Sequence, residues 1–212
     1  MKKNLLTQTV SVAMTITRSY LREGDTAIDA TCGNGHDTLA LAQAVGRNGR
    51  ILAIDLQEEA ILASKGLLSA HQIDNVDFVQ GSFVHLEEHW RAWMENMERG
   101  MTAETVDTAE TPETPSNPRA IIFNLGYLPG GDKKVTTRTE DTLLAVQQAL
   151  SAIAPGGIVT LVLYPGHEEG AREREALLEF AKELPASRFH AAYVGFPNQK
   201  KNPPEILWIT KK

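Results

Sequence analysis

The sequence predicts an α/β protein: an open, mostly parallel sheet of seven strands, an antiparallel pair of strands at its C-terminus, and helices on both faces. Two observations carry this. Short runs rich in Ile, Val and Leu alternate with longer helical segments, the pattern of strands buried on both faces and joined by crossover helices. The last two strand-like runs are joined only by "PNQKKNPP", too short for a crossover helix, so they pair antiparallel.

Each element follows from its own stretch. Residues 1–25 begin with lysines, but the apolar part is broken by Thr7, Gln8, Thr9 and Ser11 and meets Arg18 and Arg22 without a small-residue cleavage site, so they read as an amphipathic helix of the mature protein. Strands are expected at 26–31, 50–56, 76–80, 119–125 and 157–164, with helices near 36–46, 57–70, 83–99, 137–153 and 168–183. Gly46 and Gly49 stop the first crossover helix. The closing strands are 187–196 and 205–211. Residues 102–118 are polar, proline-bearing and poor in apolar side chains, which predicts a flexible acidic insert inside one domain spanning 1–212.

Composition narrows the class. The chain has 212 residues and 42% hydrophobic content, enough for one sizeable core. No apolar run approaches the roughly 20 residues that span a bilayer. Cys32 is the only cysteine, so no internal disulfide forms, which fits a cytoplasmic location. The net charge of −6 argues against a protein that coats nucleic acid broadly. The acidity is uneven: 102–118 carries Glu104, Asp107, Glu110 and Glu113 with no lysine or arginine. Outside it, the pairs Lys133/Lys134, Lys200/Lys201 and Lys211/Lys212 stand out, although any one pair reads equally as solvated surface.

The stretch "AIDATCGNGHD" is the richest in chemistry. Asp29 ends the first strand, Gly33 and Gly35 make the turn, and a helix opens at His36 and Asp37. Glycines let backbone N–H groups approach a ligand closely. Asp55 ends the second strand, where an acid accepts hydrogen bonds from a ribose diol. A dinucleotide wants G-x-G-x-x-G and a pyrophosphate at the helix start; here only G-x-G is present, and Asp37 would repel a pyrophosphate. S-adenosylmethionine has no phosphate and carries a sulfonium and an ammonium, so Asp29 and Asp37 suit it better. "QGSF" after the third strand places Ser82 or Phe83 where an adenine edge would lie. The plainer alternatives are a turn cap at Asp29, a solvent acid at Asp55 and a core ring at Phe83. Cys32 reads as a packing residue, and His71, His85, His89 and His190 show no metal-ligand spacing, so no metal is expected.

"DATCGNGHDT", "AIDLQ" and "NLGYLPGGDK" together resemble the small class I methyltransferases of the rRNA methylase family, and the resemblance runs from "NLLTQTVSVA" to "NPPEILWI". The insert 102–118 is a departure from it. The resemblance implies a Rossmann-like class I methyltransferase fold with S-adenosyl-L-methionine (SAM) as cofactor. That family includes the enzyme that methylates 5-aminomethyl-2-thiouridine at the tRNA wobble position, which implies the same reaction at the anticodon here. The cofactor set would be Asp29, Thr31, Gly33, Asn34, Gly35, His36, Asp37, Asp55, Gln57, Ser82, Phe83 and Asn124.

"NLGYLP" is similar to the N-P-P-Y sequence of amino-group methyltransferases, so the Asn124 side chain and the Leu125 carbonyl would accept hydrogen bonds from the attacking nitrogen and Tyr127 would stack on a base. Turn formation at Asn124 and packing at Tyr127 are the plainer alternatives. A protonated amine needs a base, for which Asp37, Asp132 and His167 are candidates, His167 equally suiting a helix start. Lys133, Lys134, Arg138, Lys200 and Lys201 would meet tRNA phosphates. Competing readings are an rRNA or small-molecule methyltransferase, a nicotinamide-dependent oxidoreductase, and a non-catalytic binding module; pairing of sheet edges into a homodimer is left open.

Overall fold

The structure is a computed structural model that describes residues 8–104, 117–126, 138–199 and 201–212. In chain order the elements are α1 (Thr9–Ser19), β1 (Thr26–Asp29), α2 (His36–Val45), β2 (Arg50–Asp55), α3 (Glu58–Ala70), β3 (Val76–Gln80), a 3-10 turn (Phe83–His85), α4 (Leu86–Glu104), β4 (Ala120–Asn124), α5 (Thr139–Ala152), β5 (Ile158–Leu163), α6 (Glu168–Glu183), β6 (Phe189–Val194) and β7 (Glu205–Lys211). The predicted strands and helices are all present. The helix expected from residue 83 splits into the turn and α4, and α4 runs to Glu104, into the stretch expected to be loop.

The seven strands form one sheet in the order β3-β2-β1-β4-β5-β7-β6. β1 to β5 are parallel to their neighbours. β7 is antiparallel to both β5 and β6. The expected terminal pair therefore exists, but its second strand is inserted between β5 and the first, which leaves β6 parallel to the rest at the edge. Apolarity explains the insertion. β7 buries Ile206, Leu207, Trp208 and Ile209, whereas four consecutive residues of β6, His190 to Tyr193, are exposed. The more apolar strand takes the position with neighbours on both sides.

Alternate strand residues feed opposite cores. Ile28, Leu52, Ile121 and Phe123 join Trp90, Val146 and Leu177 from α4, α5 and α6. Ala27, Ile51, Ala120 and Ile122 join Ala13 and Met14 of α1 and Leu41 and Val45 of α2. α1 is thus part of the fold, with a buried stripe at Thr9, Ala13, Met14 and Thr17. Thr17 also hydrogen-bonds Thr160 of β5 at 2.7 Å, so the polar positions in this face are satisfied across elements. Strand order reverses between β1 and β4, and ligands of open α/β sheets gather beyond the strand ends at such a switch point. No helix among the described residues is long and apolar enough to cross a membrane.

Candidate functional site

A cavity of about 650 Å³ opens beyond the C-terminal ends of β1, β2 and β4. The β1–α2 loop forms its floor. Gly33 and Gly35 have φ of +50° and +83°, in the left-handed region that glycine adopts without strain. Gly35 is also constrained by space, since a Cβ there would lie 2.8 Å from the Ser64 Cα. The Ser64 hydroxyl donates to the Gly33 carbonyl at 2.9 Å, tying the loop to α3.

Two carboxylates hold this loop from different sides. Asp55 accepts from the backbone N–H of Gly33 at 2.9 Å and of Gln57 at 3.0 Å, and it lines the cavity. Asp29 is fully buried and is not among the lining residues. It accepts from the Thr31 N–H at 3.2 Å and the Thr38 hydroxyl at 2.6 Å, so it braces the loop from beneath. Burial, then the charge of Asp37, raises the Asp29 carboxyl to about 7 against the pull of its two hydrogen bonds. Cys32 lines the cavity with its thiol pushed up by burial and by Asp29, which keeps it neutral and unreactive.

The end of β4 forms the opposite wall. The Asn124 N–H donates to the Thr31 hydroxyl at 2.7 Å, which joins the two wall loops. The side-chain Nδ2 of Asn124 donates to Asp37 at 3.0 Å, and its Oδ1 accepts from the Tyr164 hydroxyl at 2.9 Å. Burial holds the Asp37 carboxyl above its ordinary range, while the bond from Asn124 and the nearby His36 pull it down. Asp37, Asn124, Leu125 and Tyr164 all line the cavity.

Of the expected cofactor residues, Thr31, Gly33, Asn34, His36, Asp37, Asp55, Gln57, Ser82, Phe83 and Asn124 come together on this cavity; Gly35 stands behind the loop as the N-cap of α2. Phe83 also packs edge-on against Phe123 with ring centres 6.0 Å apart. Arg138 lines the cavity, whereas Lys201, also exposed, does not. His167 is not a lining residue: it caps α6, its Nδ1 accepting from the Gly170 N–H at 3.0 Å. Tyr127, Asp132, Lys133, Lys134 and Lys200 lie outside the described residues.

Sequence reasoning assigned no role to Tyr164, Asp141 or Leu56, all of which line the cavity. Their signal was position, directly after β5, in the first turn of α5, and directly after Asp55. Leu56 is 57% exposed, an apolar side chain left uncovered at the ligand end of the sheet. Asp37, Asp55 and Asp141 face a single arginine among the described lining residues, so the cavity suits a cationic, phosphate-free ligand. Among the described residues no group of three or more His, Cys, Asp or Glu side chains is placed to hold a metal ion.

The profile of the family described as "Putative rRNA methylase" matches residues 51–210, and that of the ubiE/COQ5 methyltransferase family matches 8–93. The chain is 36% identical over 181 residues to the chloroplastic tRNA (mnm(5)s(2)U34)-methyltransferase of Arabidopsis thaliana; the match covers 83% of this chain and 60% of that longer protein. The solved structure of a protein from Clostridium thermocellum with the same description as the first family superposes with a TM-score of 0.81 at 32% identity, over 96% of this chain and 97% of that one. A methyltransferase from Streptococcus mutans, solved in complex with SAH, superposes with a TM-score of 0.74 at 27% identity over the full length of both.

Proposed function

This chain belongs to the rRNA methylase family, and from that premise we propose that it is a SAM-dependent methyltransferase acting on the amino nitrogen of 5-aminomethyl-2-thiouridine at the tRNA wobble position, in the reducing cytoplasm. The observation that carries the reading is the pairing of Asp37 with Asn124 on a cation-suited cavity at the switch point. The name of the Arabidopsis relative supports the choice of substrate.

The residues present fit the cofactor. The cavity is of the size that takes a drug-sized ligand. Asp55, already holding two backbone N–H groups, keeps lone pairs for the ribose hydroxyls. Leu56, Phe83 and Ser82 offer the apolar slot and polar edge that an adenine needs. When bound, SAM supplies an electrophilic methyl carbon on a sulfonium.

The protein's own work is then positioning and proton removal. An aliphatic ammonium at the end of β4 meets two acceptors, the Asp37 carboxylate and the Asn124 oxygen. Asp37 takes the proton that frees the lone pair; its carboxyl, raised by burial, is the better base for it. The two acceptors then hold the remaining N–H groups and aim the lone pair at the methyl carbon, the alignment that in-line transfer requires. Asp37→Asn is expected to lower kcat by about a hundredfold or more while SAM binds within a few-fold of wild type. Loss of SAM binding in step with kcat would mean that Asp37 holds the cofactor and moves no proton.

The direct test is incubation of the protein with labelled SAM and total RNA lacking the wobble methylation. One added methyl on 5-aminomethyl-2-thiouridine, found by nucleoside mass spectrometry, is expected. Label confined to rRNA or to small molecules would overturn the substrate assignment; tight NAD binding without SAM binding would overturn the reaction class.

A further inference from the structure

The segment that follows β3 borders the cavity through Gly81, Ser82 and Phe83. Most of its backbone N–H groups are engaged within the protein. Gly81 donates to the Asp55 carbonyl at 2.8 Å, His85 to the Ser82 carbonyl at 3.1 Å and Val84 to the Ser82 hydroxyl oxygen at 3.3 Å. Leu86 donates to the Phe83 carbonyl. Among the described residues nothing accepts from the N–H of Ser82 or of Phe83, and both residues are half-buried on the cavity. Backbone donors left over at the wall of a cavity are the kind of polar group that orients a bound heterocycle.

The same segment is gripped by Gln148 of α5, a half-buried residue that does not line the cavity. Its Nε2 donates to the Val84 carbonyl at 2.8 Å, and its Oε1 accepts from the Glu87 N–H at 2.8 Å. A carbonyl only accepts and a backbone N–H only donates, so both partners demand the same orientation of the amide. Turned over, the amide would lose both bonds. α5 is itself fixed: Ala145, Val146 and Ala149 are fully buried, and the Thr142 hydroxyl donates to Glu173 of α6.

Gln148 therefore ties the 3-10 turn and the first turn of α4 to one immobile helix. Val84 is bonded to Ser82 through its N–H and to Gln148 through its carbonyl, so a shift at Val84 is passed to the cavity wall. A wall already held in its binding shape spares the ligand the cost of ordering it.

We propose that Gln148 is a positioning residue for the cofactor: by tying Val84 and Glu87 to α5, it holds Ser82 and Phe83 in the shape that receives the purine. The identity of the purine ligand rests on the function proposed above; the hold of α5 on the turn does not.

The probes are SAH and 5′-methylthioadenosine, which keeps the purine, ribose and sulfur and lacks the amino acid. Binding is measured by calorimetry on the full chain, without RNA, well below the melting temperature of each variant. A loss of global stability alone then leaves the dissociation constants unmoved. Gln148→Met keeps the length of the side chain and a good helix former while removing both hydrogen bonds. It is expected to weaken both ligands by the same factor, about five- to tenfold, the scale of one or two neutral hydrogen bonds. Gln148→Glu separates the grip on the turn from a cap on α4. Its carboxylate still accepts from the Glu87 N–H but has no hydrogen for the Val84 carbonyl. At neutral pH it is expected to bind both ligands as weakly as Gln148→Met does. Wild-type affinity in Gln148→Met would overturn the proposal, and in Gln148→Glu it would show that the side chain only caps α4. A loss seen with SAH and not with 5′-methylthioadenosine would also overturn it, because the effect would then lie at the amino-acid end. Wild-type protein that binds neither ligand would overturn the cofactor reading and this proposal with it. Wild-type protein that binds SAH but methylates no tRNA would sink the substrate assignment alone, and the binding comparison would still decide the role of Gln148.

Discussion

Asp29 and Asp55 look equivalent in the sequence, each an acid at the end of a parallel strand next to a glycine turn. The structure separates them by burial. Asp55 borders the cavity, whereas Asp29 points beneath the loop onto Thr31 and Thr38. Strand side chains alternate faces, so a shift of one residue in where a strand ends decides which acid meets a ligand, and a single sequence does not fix that end. The consequence for stability can be worked out. The Asp29 carboxyl is raised from 3.8 to about 7 in the folded state, so the folded chain binds this proton more tightly than the unfolded chain does. The stabilisation is fully present below pH 4 and is lost as pH rises through about 7. Thermal melts of the ligand-free protein are therefore expected to show this group's contribution falling between pH 4 and 8, and Asp29→Asn is expected to flatten that part of the profile. A variant with the wild-type slope would show that Asp29 does not carry the proton.

The parallel strands were legible because each is a short Ile, Val and Leu run closed by turn residues, and β1 and β5 are buried along their whole length. The place of β7 was not legible from periodicity, because strand order depends on partners distant in sequence; only the greater apolarity of "EILWITK" over "FHAAYV" hinted at the inner position. The turn of the β1–α2 loop was legible, since G-x-G leaves few conformations for a strand that turns into a helix, but the burial of Asp29 beneath it was not. The cavity wall was half legible: Asn124 was marked by its neighbours in "NLGYLP", but Tyr164 joins it only through the pairing of β4 with β5. At this scale Gly35→Ala is the informative variant. A Cβ would meet Ser64 at 2.8 Å at a φ of +83°, so the loop must shift away from α3. The expected cost is about 1–3 kcal/mol of stability together with loss of SAM affinity in calorimetry. Unchanged affinity would mean that the ligand does not lean on this loop.

At the scale of the whole molecule, the proposed function asks an acidic chain to bind an anion. A net charge of −6 repels RNA at long range, so under that reading local attraction is expected from basic groups such as Arg138, which lines the cavity. Phosphate contacts release counterions, so the salt slope of tRNA binding counts them. Arg138→Glu is expected to raise the tRNA KM several-fold and to make that slope shallower by about one, with SAM affinity held. The acids of 102–118 are expected to act in the opposite sense. Replacing Glu104, Asp107, Glu110 and Glu113 by their amides removes four negative charges without changing side-chain size. Exposed charges are screened beyond about 8 Å at physiological salt and about 3 Å at 1 M. The amide variant is therefore expected to associate with tRNA several-fold faster than wild type at low salt and at the same rate in high salt, with kcat unchanged. Stopped-flow association across a salt series decides it. A rate gain that persists in high salt would mean that these acids obstruct the RNA by contact. No gain at any salt would mean that RNA approaches from a side where their field is already screened.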